Sequence, residues 1–241
     1  MAKVRGVRER AREELTQEIK NEARRQLGEH GAQGLSLRAV ARELEMASSA
    51  IYRYFPSRDD LLTALIIDAF NAVGAHVEKA EAKQDRADHL ARWQAACKAV
   101  RTWAHAHPWE YALLYGSPVV GYRAPQDTAA PAARVPVVLL GIVADAHQAG
   151  ELQAVQGPPL TDQVSQEIEH LVALLPALAL QDVLRSNLAV LIAAWTQLYG
   201  LLSFELWGHL EGVVEDRTAI FEYATNQLAH LLGLRRRGGR G

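Results

Sequence analysis

The side chains best suited to binding chemistry are concentrated in one segment of the chain, residues 36–58. Hydroxyl-bearing, small and cationic residues recur there at short intervals: Ser36, Arg38, Ser48, Ser49, Ala50, Tyr52, Arg53, Tyr54 and Arg58. Hydroxyl and guanidinium groups donate hydrogen bonds to phosphate oxygens and to the edges of bases. The segment therefore favours nucleic-acid binding.

The helix that must support this segment is visible in the spacing of apolar residues before it. Residues 13–29 carry an apolar side chain at every fourth position, which predicts an amphipathic helix ending in the Gly31 and Gly34 region: Leu15, Ile19, Ala23 and Leu27. Strict polar and apolar alternation persists nowhere over the length of a strand. The predicted fold class is all-α.

Two short helices are predicted within the segment itself. Ser36 is a candidate N-cap for the first, which ends near Met46, and Ser48 is a candidate N-cap for the second. The second ends at about Phe55 because Pro56 cannot continue a helix. Two short helices that meet at a tight turn form a helix-turn-helix, whose second helix fits a major groove about 12 Å wide.

Longer helices account for the rest of the chain. Ser57 and Asp60 form a capping pair that opens a connecting helix at about 57–80. Further helices are predicted at about 88–106, 108–116, 131–149, 161–174, 178–209 and 215–233, with loops at 116–131 and 156–159. The expected domains are a basic arm (1–12), a helix-turn-helix domain (13–58), a C-terminal dimerisation and effector-binding domain (81–233) and a basic disordered tail (234–241).

Charge is distributed unevenly between the two ends of the chain. Up to Arg58 there are twelve Lys and Arg against eight Glu, whereas the remainder has fourteen basic against twenty acidic residues. A polyanion should therefore be attracted to the N-terminal part only. The basic arm, from Lys3 to Arg12, either enters a minor groove or is the solvated start of the first helix.

Composition excludes several classes of protein. Cys97 is the single cysteine, so the chain has no internal disulfide, and the charged N-terminus lacks the apolar core of a signal peptide. We expect a cytoplasmic protein. The uncharged stretch 186–204 is interrupted by polar residues and fits a helix buried in a core or a dimer interface better than a membrane span. No metal or cofactor is expected.

The segment from Gly34 to Ile66 resembles the tetracycline-repressor (TetR) family of bacterial regulators. The resemblance lies in the two short helices, the Tyr and Phe that follow, and Arg58 before the connecting helix. It implies that Ser36, Tyr52 and Arg58 hold phosphates, and that the other six residues of the segment lie at or near base edges. One departure is Glu45, which stands where the family commonly has glycine in the turn. A left-handed conformation there would cost Glu about 1 kcal/mol or more.

The C-terminal part resembles a recurrent C-terminal domain of the same family, including its Trp207-Gly208-His209 signature. Aromatic residues and a histidine concentrated there are candidates for binding a partly apolar effector: Trp103, His107, Trp109, Tyr111, Tyr115, Trp195 and Tyr199. Ordinary core packing explains the aromatic residues at least as well. His105 and His107 lie two positions apart, on different sides of a helix, and this does not favour a metal site.

The resemblance implies a non-enzymatic repressor whose partners are double-stranded operator DNA, a second copy of the chain and a small-molecule effector. The uncharged residues Leu188–Leu202 predict that the helices at 178–209 and 215–233 pack against their symmetry mates as a four-helix bundle. Two other classes remain as alternatives. One is an all-helical enzyme, although no H-E-x-x-H, P-loop or nucleophile-elbow pattern is present. The other is a protein-interaction adaptor that retains the helix-turn-helix as a scaffold.

Overall fold

The structure is a computed structural model that describes residues 6–155, 158–174, 183 and 185–235. These residues form α-helices joined by loops, with no strand in the ranges given, as the periodicity predicts. The helices are α1 (Val7–Gly34), α2 (Leu37–Glu43), α3 (Ser48–Ile51), α4 (Arg58–Glu81), α5 (His89–Ala106), α6 (Pro108–Tyr115), α7 (Ala129–Gln148), α8 (Asp162–Leu174), α9 (Arg185–Leu206) and α10 (Arg217–Leu231), with a 3-10 turn at Gln126–Thr128.

Helix α1 begins six residues before the start predicted at residue 13 and ends where expected. The early start arises because residues 7–12, although highly charged, contain no glycine or proline. Gly31 interrupts the helix with φ 66° and ψ 177°, a conformation that glycine adopts without strain. Ile19, Ala23 and Leu27 are buried, and Leu15 packs on the same core from a partly buried position.

The turn after α2 places Glu45 in the left-handed region, with φ 52°. The amide of Glu45 donates to the carbonyl of Arg42 and that of Met46 to the carbonyl of Ala41, at 3.1 and 2.8 Å. This pair of bonds is a Schellman motif, in which glycine is the usual residue at the Glu45 position. The turn therefore keeps the left-handed geometry that usually goes with glycine, and Glu45 adopts it instead.

Helix α3 differs from its prediction at both ends. Ser48 was expected to be the N-cap, but Ser48 is the first helical residue, and Ala47 occupies the cap position without a side-chain hydrogen bond. Regular α-helix ends at Ile51, but the amides of Arg53, Tyr54 and Phe55 still donate to carbonyls three or four residues back. The helical turn thus reaches Phe55, as predicted, and Phe55 is buried in the core.

The described residues divide into two compact units. One consists of the chain up to Asn71 with His107–Pro131, and the other of Ala72–Ala106 with the chain from Ala132 onward. The sequence suggested a division near residue 80 instead. Residues 107–131 join the first unit because α6 and the following loop contact its helices: Arg24 of α1 pairs with Glu110 at 3.1 Å, and Thr63 of α4 hydrogen-bonds Tyr122 at 2.9 Å.

The second unit is held together by polar contacts as well as by apolar packing. The indole nitrogen of Trp93, on α5, donates to the carbonyl of Thr225, on α10, at 3.0 Å. Glu205, buried near the end of α9, accepts two hydrogen bonds from the guanidinium of Arg101 and lies 3.1 Å from Nε2 of His105. These contacts fix α9 and α10 against α5.

The Trp207-Gly208-His209 signature forms the C-terminal cap of α9. Gly208 has φ 77°, and the amide of His209 donates to the carbonyl of Phe204 at 3.0 Å. The ring of His209 then packs against that of Phe204, with centroids 5.0 Å apart. The glycine is needed because a side chain at this φ is strained.

Two further features concern burial. Cys97 of α5 is completely buried, and burial raises the pKa of its thiol far above the usual range. Within the described ranges, three helical stretches are long and apolar enough to cross a membrane by length and composition alone: Arg58–Glu81, Gln126–Gln148 and Arg185–Leu206. Between 39% and 44% of each apolar window is buried inside the fold, which gives these residues a packing role.

Candidate DNA-binding surface

None of the nine residues predicted to bind DNA is buried. Arg38, Ser48, Ser49, Tyr52 and Arg53 are exposed, and Ser36, Ala50, Tyr54 and Arg58 are partly exposed. They are carried by α2, α3 and the start of α4, which pack on the core formed with α1. Their accessibility follows from the local sequence, because Leu37, Val40, Ile51 and Phe55 take the inward positions.

Four of these residues line one surface recess of about 260 Å³ together with Leu35 and Leu37: Ser36, Arg38, Tyr52 and Arg58. Ser36 caps α2 by accepting a hydrogen bond from the amide of Ala39 at 3.4 Å. Arg38 has no ion-pair partner among the residues that the structure describes. The recess thus combines two guanidinium groups with two hydroxyl groups, which is a suitable set of donors for phosphate.

Arg58 also has partners within the fold. Its Nε donates to the carbonyl of Leu35 at 3.1 Å and its Nη2 to the carbonyl of Ala32 at 2.7 Å, while Nη1 lies 3.6 Å from Oδ1 of Asp59. The sequence analysis attributed a cation at this helix start to phosphate binding. The structure supplies a second reason, because a cation at the C-terminal end of α1 satisfies carbonyls that lack helical partners.

A second recess, of about 410 Å³, lies beside the end of α3. It is lined by Arg8, Ala11, Arg12 and Leu15 of α1 and by Arg53 and Tyr54. Sequence reasoning placed Arg8 and Arg12 in a separate arm and missed this proximity. The missed signal was the continuation of helical spacing toward the N-terminus, which places residues 8, 11, 12 and 15 on one face.

The seven effector candidates do not form one cluster within either unit. His107, Trp109, Tyr111 and Tyr115 belong to the first unit, and Trp103, Trp195 and Tyr199 to the second. Trp103, Tyr111 and Tyr199 are buried, whereas His107 and Trp109 are exposed. Two ring pairs, Tyr111 with Tyr115 at 5.2 Å and Trp195 with Tyr199 at 6.0 Å between centroids, are contacts of the kind expected in a packed core.

An apolar cavity of about 320 Å³ lies between α7, α8 and α9 in the second unit. Of the effector candidates only Trp195 lines it, alongside residues that sequence reasoning did not select: Pro136, Leu139, Leu140, Glu167, His170, Leu171, Leu174, Leu191 and Ile192. Aliphatic residues carry no signal that separates a cavity wall from a core. In the described part of the chain, no three His, Cys, Asp or Glu side chains are placed to share a metal ion.

Comparison with known families agrees with this geometry. Residues 19–65 match the family model "Bacterial regulatory proteins, tetR family", and residues 93–228 match "Tetracyclin repressor-like, C-terminal domain". The first match contains α2, α3 and the start of α4, and the second runs from within α5 to near the end of α10. Together they cover both the DNA-binding surface and the helices of the larger unit.

Individual relatives give the same result. The HTH-type transcriptional regulators Mb1846 of Mycobacterium bovis and Rv1816 of Mycobacterium tuberculosis are each 45% identical over 166 residues, which is 66% of this chain and 66% of each relative. The crystal structure of SCO4313, described as a regulatory protein, is 33% identical with a TM-score of 0.72 over 93% of this chain and 100% of that chain. The TetR family regulator PfmR of Thermus thermophilus shares the fold, with 18% identity and a TM-score of 0.58 over 90% of this chain and 99% of that chain. Mb1846, Rv1816 and PfmR are regulators of transcription rather than enzymes, and the chain belongs to the TetR family of helix-turn-helix transcriptional regulators.

Proposed function

We propose that this protein is a repressor that binds an operator with the surface formed by α2, α3 and the start of α4, and that a small-molecule effector releases it. The observation that carries the proposal is the exposure of hydroxyl and guanidinium groups along these elements, above the apolar core that they share with α1. Ser36, Tyr52 and Arg58 are assigned to phosphates, and Arg38, Ser48, Ser49, Ala50 and Tyr54 to base edges. Action on chromosomal DNA places the protein in the cytoplasm.

Footprinting on the DNA that adjoins its own gene tests this function. The purified protein should protect two half-sites whose centres lie about 34 Å, or a multiple of it, apart, and binding should weaken as salt is raised. A scrambled duplex of the same length is the control. Equal protection of both duplexes, or no binding at low salt, would instead favour the adaptor alternative.

Two half-sites require two copies of the chain, and α9 and α10 offer the surface for pairing. Ile192 and Phe204 of α9 and Ile220, Tyr223 and Leu231 of α10 are between 41% and 63% exposed despite their apolar character. Two-fold pairing of these helices as a four-helix bundle would cover them. Light scattering of the footprinting sample should give about twice the 26.5 kDa chain mass, and a monomer at micromolar concentration contradicts the pairing.

The cavity between α7, α8 and α9 is the effector site that we propose within the second unit. Its wall is almost entirely apolar, and Nε1 of Trp195 is buried without an acceptor among the residues that the structure describes. An unsatisfied buried donor costs about 1–3 kcal/mol, so a ligand acceptor that reached this N–H would add a hydrogen bond to the apolar contact. The expected ligand is a small apolar or aromatic molecule with one carbonyl or ether oxygen.

A thermal-shift screen of such molecules should identify ligands that stabilise the protein and also release operator DNA in fluorescence anisotropy. Trp195→Phe keeps an aromatic side chain but removes the N–H donor, and should weaken the response to oxygen-bearing ligands more than the response to pure hydrocarbons. Trp103→Phe is the matched control, because Trp103 is buried outside the cavity wall. Stabilising ligands that never alter operator affinity would contradict effector release.

A further inference from the structure

The recess beside the end of α3 has the composition of an anion site. Arg8 and Arg12 lie one helical turn apart on the face of α1 that borders it, with Ala11 and Leu15 between and below them. Arg53 and Tyr54, in the turn after α3, form the opposite wall. Three guanidinium groups and one phenol hydroxyl thus surround a space of about 410 Å³.

Acidic side chains do not neutralise these three arginines within the described part of the chain. The ion pairs of α1 use Lys20, Arg24 and Arg25, all of which lie beyond the recess. Arg8, Arg12 and Arg53 are all exposed. Like charges near one another without an acidic partner create a positive potential, so an anion that enters the recess is attracted to it.

The position of the recess identifies the anion. Arg53 and Tyr54 continue the helical turn whose first residues, Ser48 and Ser49, are assigned to the major groove. A helix in a major groove has a phosphate backbone on either side of it, and a cation beside its C-terminal end faces one of these backbones. We infer that Arg8, Arg12 and Arg53 form a clamp for DNA backbone phosphates, built from the first two turns of α1 and the turn that follows α3.

This clamp revises one expectation from the sequence, because Arg53 contacts phosphate rather than a base edge. For Arg8 and Arg12 the sequence left a minor-groove arm and the start of the first helix as alternatives, and the clamp takes the helix and adds a phosphate contact. The inference rests on the proposed operator binding. It adds that binding depends on α1 as well as on α2 and α3, without changing which sequence is preferred.

The test is fluorescence anisotropy over a salt series, with operator and scrambled duplexes. Arg8→Gln combined with Arg12→Gln should lower affinity for both duplexes by the same factor. The log-log salt slope should decrease by about 0.9 for each lost phosphate contact, or about 1.8 for each bound subunit. Arg53→Gln, from the opposite wall, should also weaken both duplexes equally and decrease the slope by about 0.9.

Arg10→Gln is the matched control. Arg10 is two residues from both Arg8 and Arg12, on the opposite side of α1, and does not line the recess. Arg10→Gln should leave the salt slope unchanged. A decrease of about 0.9, as expected for the loss of one phosphate contact, would show general electrostatic attraction and overturn the clamp. An unchanged slope in the double variant would overturn it too. Failure of the wild-type protein to bind any duplex at low salt would instead overturn operator binding itself.

Discussion

Replacing Arg101 with alanine should lower the free energy of unfolding by up to about 3–5 kcal/mol, because the buried carboxylate of Glu205 loses its guanidinium partner and is left beside the imidazole of His105. Arg101 donates to both oxygens of Glu205 at 2.6 and 3.0 Å. Its guanidinium also lies 5.1 Å from the ring centroid of Phe221 and donates to Thr218 at 3.2 Å, so the same residue fixes α9 and α10 against α5. Urea unfolding followed by circular dichroism measures the loss.

Lys98→Ala is the control for Arg101→Ala. Lys98 is exposed one turn earlier on α5, and its removal should change stability by about 0.5 kcal/mol or less. Combining Arg101→Met with Glu205→Leu should recover most of the stability, because no charge is then left buried. A loss for Arg101→Ala no larger than that for Lys98→Ala would contradict the structural importance of the pair.

The same ion pair predicts a specific acid response. Burial raises the pKa of Glu205, but the hydrogen bonds and the charge interactions with Arg101 and His105 together outweigh it, and the net pKa lies below the usual value of 4.5. The pair's contribution is therefore complete above about pH 4.5 and is lost as the pH falls toward the pKa of the folded state. In Arg101→Ala this part of the acid-induced loss of stability should be absent.

Replacing Arg38 with alanine should weaken operator binding by about 1–3 kcal/mol for each half-site, and thus by up to twice that for a dimer, if Arg38 reads a guanine. The side chain is exposed on the first turn of α2 and has no ion-pair partner among the described residues, so the variant should fold normally. The preference for one base should weaken at one position of each half-site. Anisotropy with operator and scrambled duplexes measures both effects.

Arg42 provides the comparison for Arg38. It is four residues later on α2, with a side chain that is 77% exposed and 3.7 Å from Glu43, and it lies outside the predicted DNA-binding set. Arg42→Ala should leave operator preference unchanged. If Arg38→Ala weakens operator and scrambled duplexes equally, Arg38 holds a phosphate instead of reading a base.

The helix-turn-helix could be predicted closely because local rules determine it. The stripe of Ile19, Ala23 and Leu27 is buried as expected. Ser57 and Asp60 form the predicted capping pair, with the amide of Asp60 donating to Ser57 at 3.1 Å. Caps, prolines and apolar spacing act over a few residues, so a single sequence contains them completely.

Contacts between distant parts of the chain were beyond the reach of sequence patterns. The partners of Arg58 are the backbone carbonyls of Ala32 and Leu35. Because every residue has a backbone carbonyl, the sequence does not indicate which ones a distant arginine contacts. The recess of Arg8, Arg12 and Arg53 joins residues more than forty positions apart. Among the aromatic candidates, only the packing of helices separates Trp195, which lines a cavity, from Tyr111, which is fully buried.

The buried cysteine makes this chain convenient for spectroscopy. Only a thiolate reacts readily with labelling reagents, and the thiol of Cys97 is both inaccessible and kept protonated by its raised pKa. A second cysteine introduced at an exposed position of the DNA-binding surface, such as Ser49, would therefore take a spin label selectively in an otherwise native protein. In a two-fold dimer, one such label on each subunit reports the distance between the two copies of α3 directly, with and without an effector.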